Sequence, residues 1–119
     1  MVRLQRPTYY DNYDRAGTKI FVGEWATNNP RGGPTGHMAF ALGDAAWLTG
    51  LERNADVVVM NSYAPLFCNV NPGGTQWSIN LIGYDALGSF FVSGAYFNSV
   101  RIPKMWVVLS CASSRGGIS

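Results

Sequence analysis

The sequence has few residues that could form disulfides or bind metals. Its 119 residues include two cysteines, Cys68 and Cys111, and one histidine, His37. Two cysteines far apart in the chain do not make the framework of several disulfides that stabilises small secreted domains. A structural zinc site also needs more Cys and His ligands than the chain holds. We therefore expect no metal site.

Charged residues and long apolar runs are scarce as well. Charged side chains make up 13% of the chain, and nine basic against seven acidic residues leave a formal charge of +2. So weak a charge does not predict a nucleic acid or an anionic membrane as partner. Residues 1–17 contain no apolar stretch of the roughly 7–15 residues that a signal peptide has. The apolar run at 105–112 is shorter than the about 20 residues that span a bilayer.

Apolar side chains are abundant, at 47% of the residues, which predicts a folded globular domain. The segment KIFVGE at 19–24 predicts a short buried strand, residues 37–54 have helical spacing, and DVVVM, within 56–62, predicts a second buried strand. A brief extended segment at 80–84 and a helix at 94–100 follow. This order of strand, helix, strand and helix predicts an α/β fold with parallel strands.

The remaining segments predict loops and a distinct tail. Residues 27–36 are almost all turn formers, and 64–78 predict a long loop. Residues 101–119 contain no acidic residue and do not continue the α/β order. We therefore expect one domain at 1–100 and a divergent tail at 101–119.

Glu24 follows the first predicted strand, and sites in parallel α/β proteins lie at the carboxyl ends of strands. Its neighbours in sequence are apolar, and such surroundings disfavour an ionised carboxylate unless hydrogen bonds or a cation compensate. Two other interpretations are open: the side chain is solvated, or it pairs with Lys19 or Arg31. A glycosidase needs two carboxylates, and no second one is convincingly placed beside Glu24.

Three blocks carry a resemblance to a known family. They are KIFVGEWA at 19–26, ALGDAAWLTGLERNADVVVMNSYAPLF at 41–67 and QWSINLIGYDAL at 76–87. Together they resemble the α-L-arabinofuranosidases of glycoside hydrolase family 51, over roughly residues 9–97. The resemblance implies a (β/α)8 TIM barrel followed by a β-sandwich. Because a complete barrel takes roughly 250 residues, we expect residues 1–100 to be an incomplete barrel, the βαβα portion that holds strands 7 and 8.

The resemblance also implies a reaction. The family removes terminal non-reducing α-L-arabinofuranosyl residues from arabinan, arabinoxylan or arabinogalactan by a retaining double displacement, without a cofactor, outside the cell. Glu24 matches the family's nucleophile. The family's acid/base Glu stands in an Asn-Glu pair, which this sequence lacks. We therefore expect the chain to be inactive alone, and the alternative is a non-catalytic carbohydrate-binding or vestigial α/β module.

Five further residues are candidates for binding the sugar. Tyr63 would lie at the same edge as the nucleophile, and Trp25 and Trp77 could stack on a sugar ring. Gln76 and Asn80 could hydrogen-bond to a sugar hydroxyl. For the aromatic residues the other interpretation is a place in the core. The oligomeric state is left open.

Overall fold

The computed structural model describes residues 6–28, 37–74, 81–85, 87–101 and 106–109. The helices and strands in these ranges are, in chain order, β1 (Ile20–Trp25), α1 (Met38–Arg53), β2 (Val58–Tyr63), β3 (Phe67–Asn69), β4 (Ile82–Tyr84), β5 (Phe90–Val92), α2 (Gly94–Arg101) and β6 (Trp106–Leu109). In this part of the chain, neither helix has the length and apolar character needed to cross a membrane.

The first sheet has the strand order β1-β2-β6, and both pairs of neighbours are parallel. Helix α1 leads from β1 to β2. Its buried residues follow the helical repeat, and Trp47, Leu48 and Leu51 pack into one core with Trp25 and Val58 of the sheet. Full burial of an apolar side chain of this kind contributes about 1.5–3 kcal/mol, so this packing stabilises the helix on the sheet.

The second sheet has the order β3-β4-β5, with β3 and β4 parallel and β4 and β5 antiparallel. Gly83 of β4 lies opposite Phe91 of β5, and a Cβ atom at Gly83 would overlap the Phe91 ring. The absence of a side chain at Gly83 therefore lets this ring cover the strand. The whole sheet, together with α2, lies in the chain between β2 and β6.

An irregular N-terminal segment, residues 6–19, is fixed to the end of α1. Arg53 donates to a carboxylate oxygen of Asp11 at 2.8 Å and to the carbonyl oxygen of Pro7 at 2.7 Å. Asn54 donates to Asp11 at 2.8 Å and accepts from Arg15 at 2.7 Å. These hydrogen bonds hold the segment against the helix even though it forms no strand or helix of its own.

Gly50 allows this close approach. A Cβ atom at Gly50 would overlap the backbone of Pro7. Beside this contact, the Tyr10 ring packs on Trp47, with 5.9 Å between ring centroids. The segment therefore touches α1 through backbone and ring contacts as well as through polar side chains.

Several predicted elements are confirmed in place. The strands predicted at 19–24 and 56–62 are β1 and β2, the helix predicted at 37–54 is α1, and the helix predicted at 94–100 is α2. The predicted loop at 64–78 contains β3, and β5 was not predicted. Strand β6 lies in the predicted tail and pairs with β2, while the domain boundary at residue 100 stays a prediction.

The predicted fold class, strands 7 and 8 of a (β/α)8 barrel, is wrong. The strands of such a barrel form one closed parallel sheet, whereas the described strands form two separate three-stranded sheets, one of them containing an antiparallel pair. The difference arises after β2. There the chain forms strands of three residues that pair with one another rather than with β1 or β2.

Candidate active site

Glu24 is the next-to-last residue of β1, and its side chain is exposed. Among the described residues, none makes a hydrogen bond or ion pair with the Glu24 carboxylate. Lys19, one of the predicted partners, instead donates to the carbonyl oxygen of Arg15 at 3.2 Å. Arg31, the other, lies outside the described residues. Of the interpretations left open by the sequence, the structure agrees with a solvated carboxylate.

The residue after Glu24 is tied to β2 inside the core. Trp25 is only 3% exposed, and its indole Nε1 donates to Oδ1 of Asn61 at 2.7 Å. The Trp25 ring also meets the Tyr63 ring edge to face, with 5.0 Å between centroids. In addition, the backbone N–H of Ala64 donates to the Trp25 carbonyl oxygen at 3.2 Å. The end of β1 is therefore fixed to β2 by side chains and by backbone.

A buried carboxylate from α1 lies at the same end of the two strands. One Asp44 oxygen accepts the backbone N–H of Thr27 at 2.8 Å, and the other accepts the Tyr63 hydroxyl at 3.3 Å. Burial raises the pKa of Asp44, and the hydrogen bonds from Thr27 and Tyr63 oppose this rise. Burial and the nearby Asp44 charge raise the pKa of Tyr63, so its hydroxyl keeps its proton and acts as the donor.

Three buried polar atoms close to this network have no hydrogen-bond partner in the part of the chain that the structure describes. They are Oγ1 of Thr27, Nδ2 of Asn61 and Oγ of Ser62. Leaving a buried donor or acceptor unpaired costs about 1–3 kcal/mol, and native proteins pair most such groups. This end of the first sheet is therefore one place where the described residues leave hydrogen-bonding capacity unused; Nε1 of Trp47 and Oγ of Ser93 are the others.

The structure brings two of the predicted sugar contacts together, but both are buried. Trp25 is 3% and Tyr63 2% exposed, and both rings belong to the core. This position agrees with the interpretation that these aromatic residues belong to the core and do not stack on a sugar. The predicted contacts Gln76, Trp77 and Asn80 lie outside the described residues. Their roles stay predictions, as does that of Glu24.

Asp44 and Asn61, which connect the end of β1 to the rest of the fold, are not among the site residues predicted from the sequence. Asp44 had a detectable signal. It is an acidic residue spaced four residues before Leu48 and seven before Leu51, on the apolar face of the predicted helix. Asn61 directly follows the apolar run at 57–60 and lies inside β2, where it is buried; its signal in the sequence is a polar residue that interrupts a strand-forming run.

Potential metal ligands do not cluster in the described residues, where no three His, Cys, Asp or Glu side chains lie close together. Cys68 is buried and is not part of a disulfide. His37 occupies the N-cap position of α1, but its side chain makes no capping hydrogen bond. Its ring instead packs edge to face on the Phe40 ring, with 4.5 Å between ring centroids.

The chain is similar to known carbohydrate-active proteins. Residues 23–83 match the family described as the α-L-arabinofuranosidase C-terminal domain. These residues contain β1 from Gly23 onwards, α1, β2, β3 and most of β4, and therefore the whole network around Asp44 and Asn61. The chain belongs to the α-L-arabinofuranosidase C-terminal domain family.

Named relatives agree with this family. The chain is 43% identical over 87 residues to the extracellular exo-α-L-arabinofuranosidase of Streptomyces chartreusis, which is 73% of this chain and 10% of that enzyme. It is 37% identical over 110 residues to α-L-arabinofuranosidase 1 of Arabidopsis thaliana, covering 90% of this chain and 14% of that enzyme. With α-L-arabinofuranosidase 2 of the same plant it shares 52% over 62 residues, 52% of this chain and 9% of that enzyme.

The chain thus spans between about a tenth and a seventh of the length of these relatives. No solved structure is significantly similar to it. The family match is a second reason why the predicted fold class is wrong. The matched region is the C-terminal domain of these enzymes, a β-sandwich-like domain, and not a portion of a TIM barrel. The predicted relationship to arabinofuranosidases is confirmed.

Proposed function

We propose that this chain is part of a retaining α-L-arabinofuranosidase, which removes terminal non-reducing α-L-arabinofuranosyl residues from arabinan, arabinoxylan or arabinogalactan. The observation that carries the proposal is the exposed Glu24 carboxylate, which directly precedes a segment fixed on both sides by buried hydrogen bonds. The names of the relatives support the substrate class. The name of the Streptomyces enzyme supports an extracellular location for the parent protein.

The proposed reaction has two displacements. In the first, a Glu24 carboxylate oxygen forms a bond to C1 of the arabinofuranose while the bond from C1 to the leaving oxygen breaks, and an acid gives that oxygen a proton. In the second, water attacks C1, the ester to Glu24 breaks, and the same group takes a proton from the water. Retention of configuration requires the two carboxyl groups to lie about 5–5.5 Å apart.

The second carboxyl group must come from elsewhere in the parent enzyme. The sequence has no Asn-Glu pair, and Asp44 is buried with both oxygens engaged. Loss of general acid–base assistance lowers rates by about 10²–10⁴-fold. We therefore expect this chain alone to release no measurable arabinose from a polysaccharide.

A substrate with a good leaving group tests the role of Glu24 despite this missing acid. Dinitrophenyl α-L-arabinofuranoside loses a phenolate that needs no proton, and without a base the resulting ester hydrolyses slowly. We expect intact mass spectrometry to show one arabinofuranosyl addition, and peptide mapping to locate it on Glu24. Glu24→Gln should remain unmodified, whereas Glu52→Gln, an exposed acid on α1, should be modified like the wild type. Addition at another residue, or none, would contradict the assignment.

The alternative is a non-catalytic carbohydrate-binding or vestigial module derived from such an enzyme. Two observations favour it: the family match is to a C-terminal domain, and Asp44, the acidic side chain in the described network beside Glu24, is buried and engaged. Isothermal titration calorimetry with arabinan oligosaccharides, together with the covalent-addition experiment, distinguishes the catalytic proposal from this alternative. Binding without any covalent addition from the aryl glycoside would favour the binding module, and neither binding nor addition would favour the vestigial one.

A further inference from the structure

We propose that Asn61 and Asp44 are positioning residues for the Glu24 carboxylate, holding the three residues that follow it in one geometry. This inference rests on the proposed role of Glu24 as the nucleophile. Neither residue contacts the Glu24 side chain in the described hydrogen bonds. Each acts through the backbone and side chains of the residues after Glu24.

The first fixed point is the side chain next to Glu24. The hydrogen bond from Trp25 Nε1 to Asn61 Oδ1, at 2.7 Å, is fully buried, and Asn61 is 0% exposed. Because the Trp25 ring also packs on Tyr63, it has contacts on more than one side. A ring held in this way restrains the backbone of its own residue, and Glu24 is bonded directly to that backbone.

The second fixed point lies two residues further along. The backbone N–H of Thr27 donates to Asp44 at 2.8 Å, which ties the chain leaving β1 to α1. The other Asp44 oxygen accepts the Tyr63 hydroxyl of β2. Asp44 therefore joins the end of β1, helix α1 and the end of β2, and the segment that starts at Trp25 is held at both ends.

Burial of a carboxylate is an unfavourable way to satisfy one backbone N–H. Neither described partner of Asp44 is a cation, and a carboxylate removed from water without a cation loses much of its hydration energy. An apolar residue would avoid this loss but would take the acceptor away from the Thr27 N–H and the Tyr63 hydroxyl. A buried carboxylate with both oxygens bonded, as in Asp44, does however favour a single arrangement of the groups that donate to it, which is what an attacking carboxylate requires.

The expected effect on reaction rate follows from geometry. Displacing a reacting group by about 1 Å can lower the rate by about 10²-fold. If Asn61 and Asp44 position Glu24, their loss should lower the limiting rate of covalent addition. The aryl glycoside concentration that gives half of this rate should stay unchanged, because neither residue is placed to contact the sugar.

The test measures the rate of addition to Glu24 from dinitrophenyl α-L-arabinofuranoside as a function of its concentration. We expect the limiting rate to fall by about 10²-fold in Asn61→Ala and Asp44→Ala. Asp44→Asn should stay within a few-fold of the wild type, because its side-chain oxygen can still accept from Thr27. Val57→Ala is the matched control: it removes buried core atoms without touching the network, and should keep the wild-type rate.

A second variant and a second measurement address loss of folding. Trp25→Phe keeps an aromatic ring but removes the indole N–H donor together with part of the ring system, and it should lower the rate more than the volume loss in Val57→Ala does, even if Asp44→Ala does not fold. Amide hydrogen exchange should become faster at Ala26 and Thr27 in each variant that weakens the network. Variants that are modified at the wild-type rate, or that fall no further than Val57→Ala, would overturn the inference, as would unchanged exchange.

The two possible failures are distinguishable. A wild-type chain that gains no sugar on Glu24 overturns the proposed function, and this inference falls with it. A wild-type chain that is modified at Glu24, with network variants that match it, overturns only the positioning role of Asn61 and Asp44.

Discussion

Replacing Gly50 with alanine should destabilise the fold, although alanine is the better helix former. In the interior of a helix, this change alone contributes about 1 kcal/mol of stability. At Gly50, however, the new Cβ atom would overlap the backbone of Pro7. Backbone atoms cannot rotate away as the end of a flexible side chain can, so the N-terminal segment must move off α1.

The magnitude follows from these two opposed effects. Overpacking in a close contact costs about 1–3 kcal/mol, and a contact with backbone belongs at or above the upper end of that range. Moving Pro7 also lengthens its 2.7 Å hydrogen bond from Arg53. Subtracting the gain in helix propensity leaves a net loss of about 2 kcal/mol. For a chain of this size, such a loss lowers Tm by about 10 °C.

Urea unfolding followed by circular dichroism measures the free energy of unfolding, with Thr49→Ala as the matched control. Thr49 is the exposed neighbour of Gly50, and its hydroxyl donates to the Ala46 carbonyl oxygen within the helix. Such bonds slightly destabilise helices, so Thr49→Ala should be neutral or stabilising. A second pair of chains, with and without Gly50→Ala, begins at Thr18 and therefore lacks Pro7; there, the substitution should stabilise by about 1 kcal/mol.

Two results would refute this reasoning. One is a Gly50→Ala chain that is as stable as the wild type when the N-terminal segment is present. The other is a loss of stability that persists in the shortened chain, because the overlap with Pro7 could not then be its cause.

Three further predictions concern other parts of the structure. Burial raises the pKa of Asp44, so the native state holds this proton more tightly than the unfolded state and the free energy of unfolding falls as the pH rises above about 4. Asp44→Asn should remove this pH dependence. Urea unfolding that gives the same pH profile for Asp44→Asn and the wild type would contradict it. Leu51→Ala, at a fully buried position, should cost about 2.7–5 kcal/mol, whereas Leu42→Ala on the exposed side of α1 should change thermal unfolding little. Gly83→Ala should destabilise less than Gly50→Ala, because its Cβ atom meets the outer end of the half-exposed Phe91 ring, which can rotate away. Calorimetry should show that Phe91→Ala relieves most of this loss; a double variant no more stable than Gly83→Ala would exclude the overlap.

The sequence predicts the first part of the fold well because local signals there agree with the final packing. β1 and β2 are apolar runs of strand-forming residues, and α1 has an apolar face at helical spacing. β3 and β5 have three residues each, too few for a periodic pattern. β6 comes from a segment whose pairing with β2 is decided by distant parts of the chain, so local patterns do not predict it.

The sequence predicts the exposed residue of the candidate site, Glu24, but not the buried residues beside it, Asn61 and Asp44. A carboxylate at a strand end, such as Glu24, can be recognised from the sequence. Trp25 and Tyr63 were predicted at the correct strand ends, but aromatic residues suit both a core and a sugar-binding surface. Only the structure shows them buried and shows that they bond to Asn61 and Asp44.

The position of β6 in the first sheet has a consequence for the order in which the chain folds. β1 pairs with β2 across a single helix, whereas Met60 of β2 pairs with Trp106 after the whole second sheet and α2 have intervened. The two stretches differ little in length, so their closure entropies are similar. The first, however, is spanned by one helix, which forms from local contacts, whereas the second must order a whole sheet and a second helix before β6 can pair. We therefore expect β1, α1 and β2 to assemble first and β6 to join them last, so the slowest folding phase should report the docking of this strand.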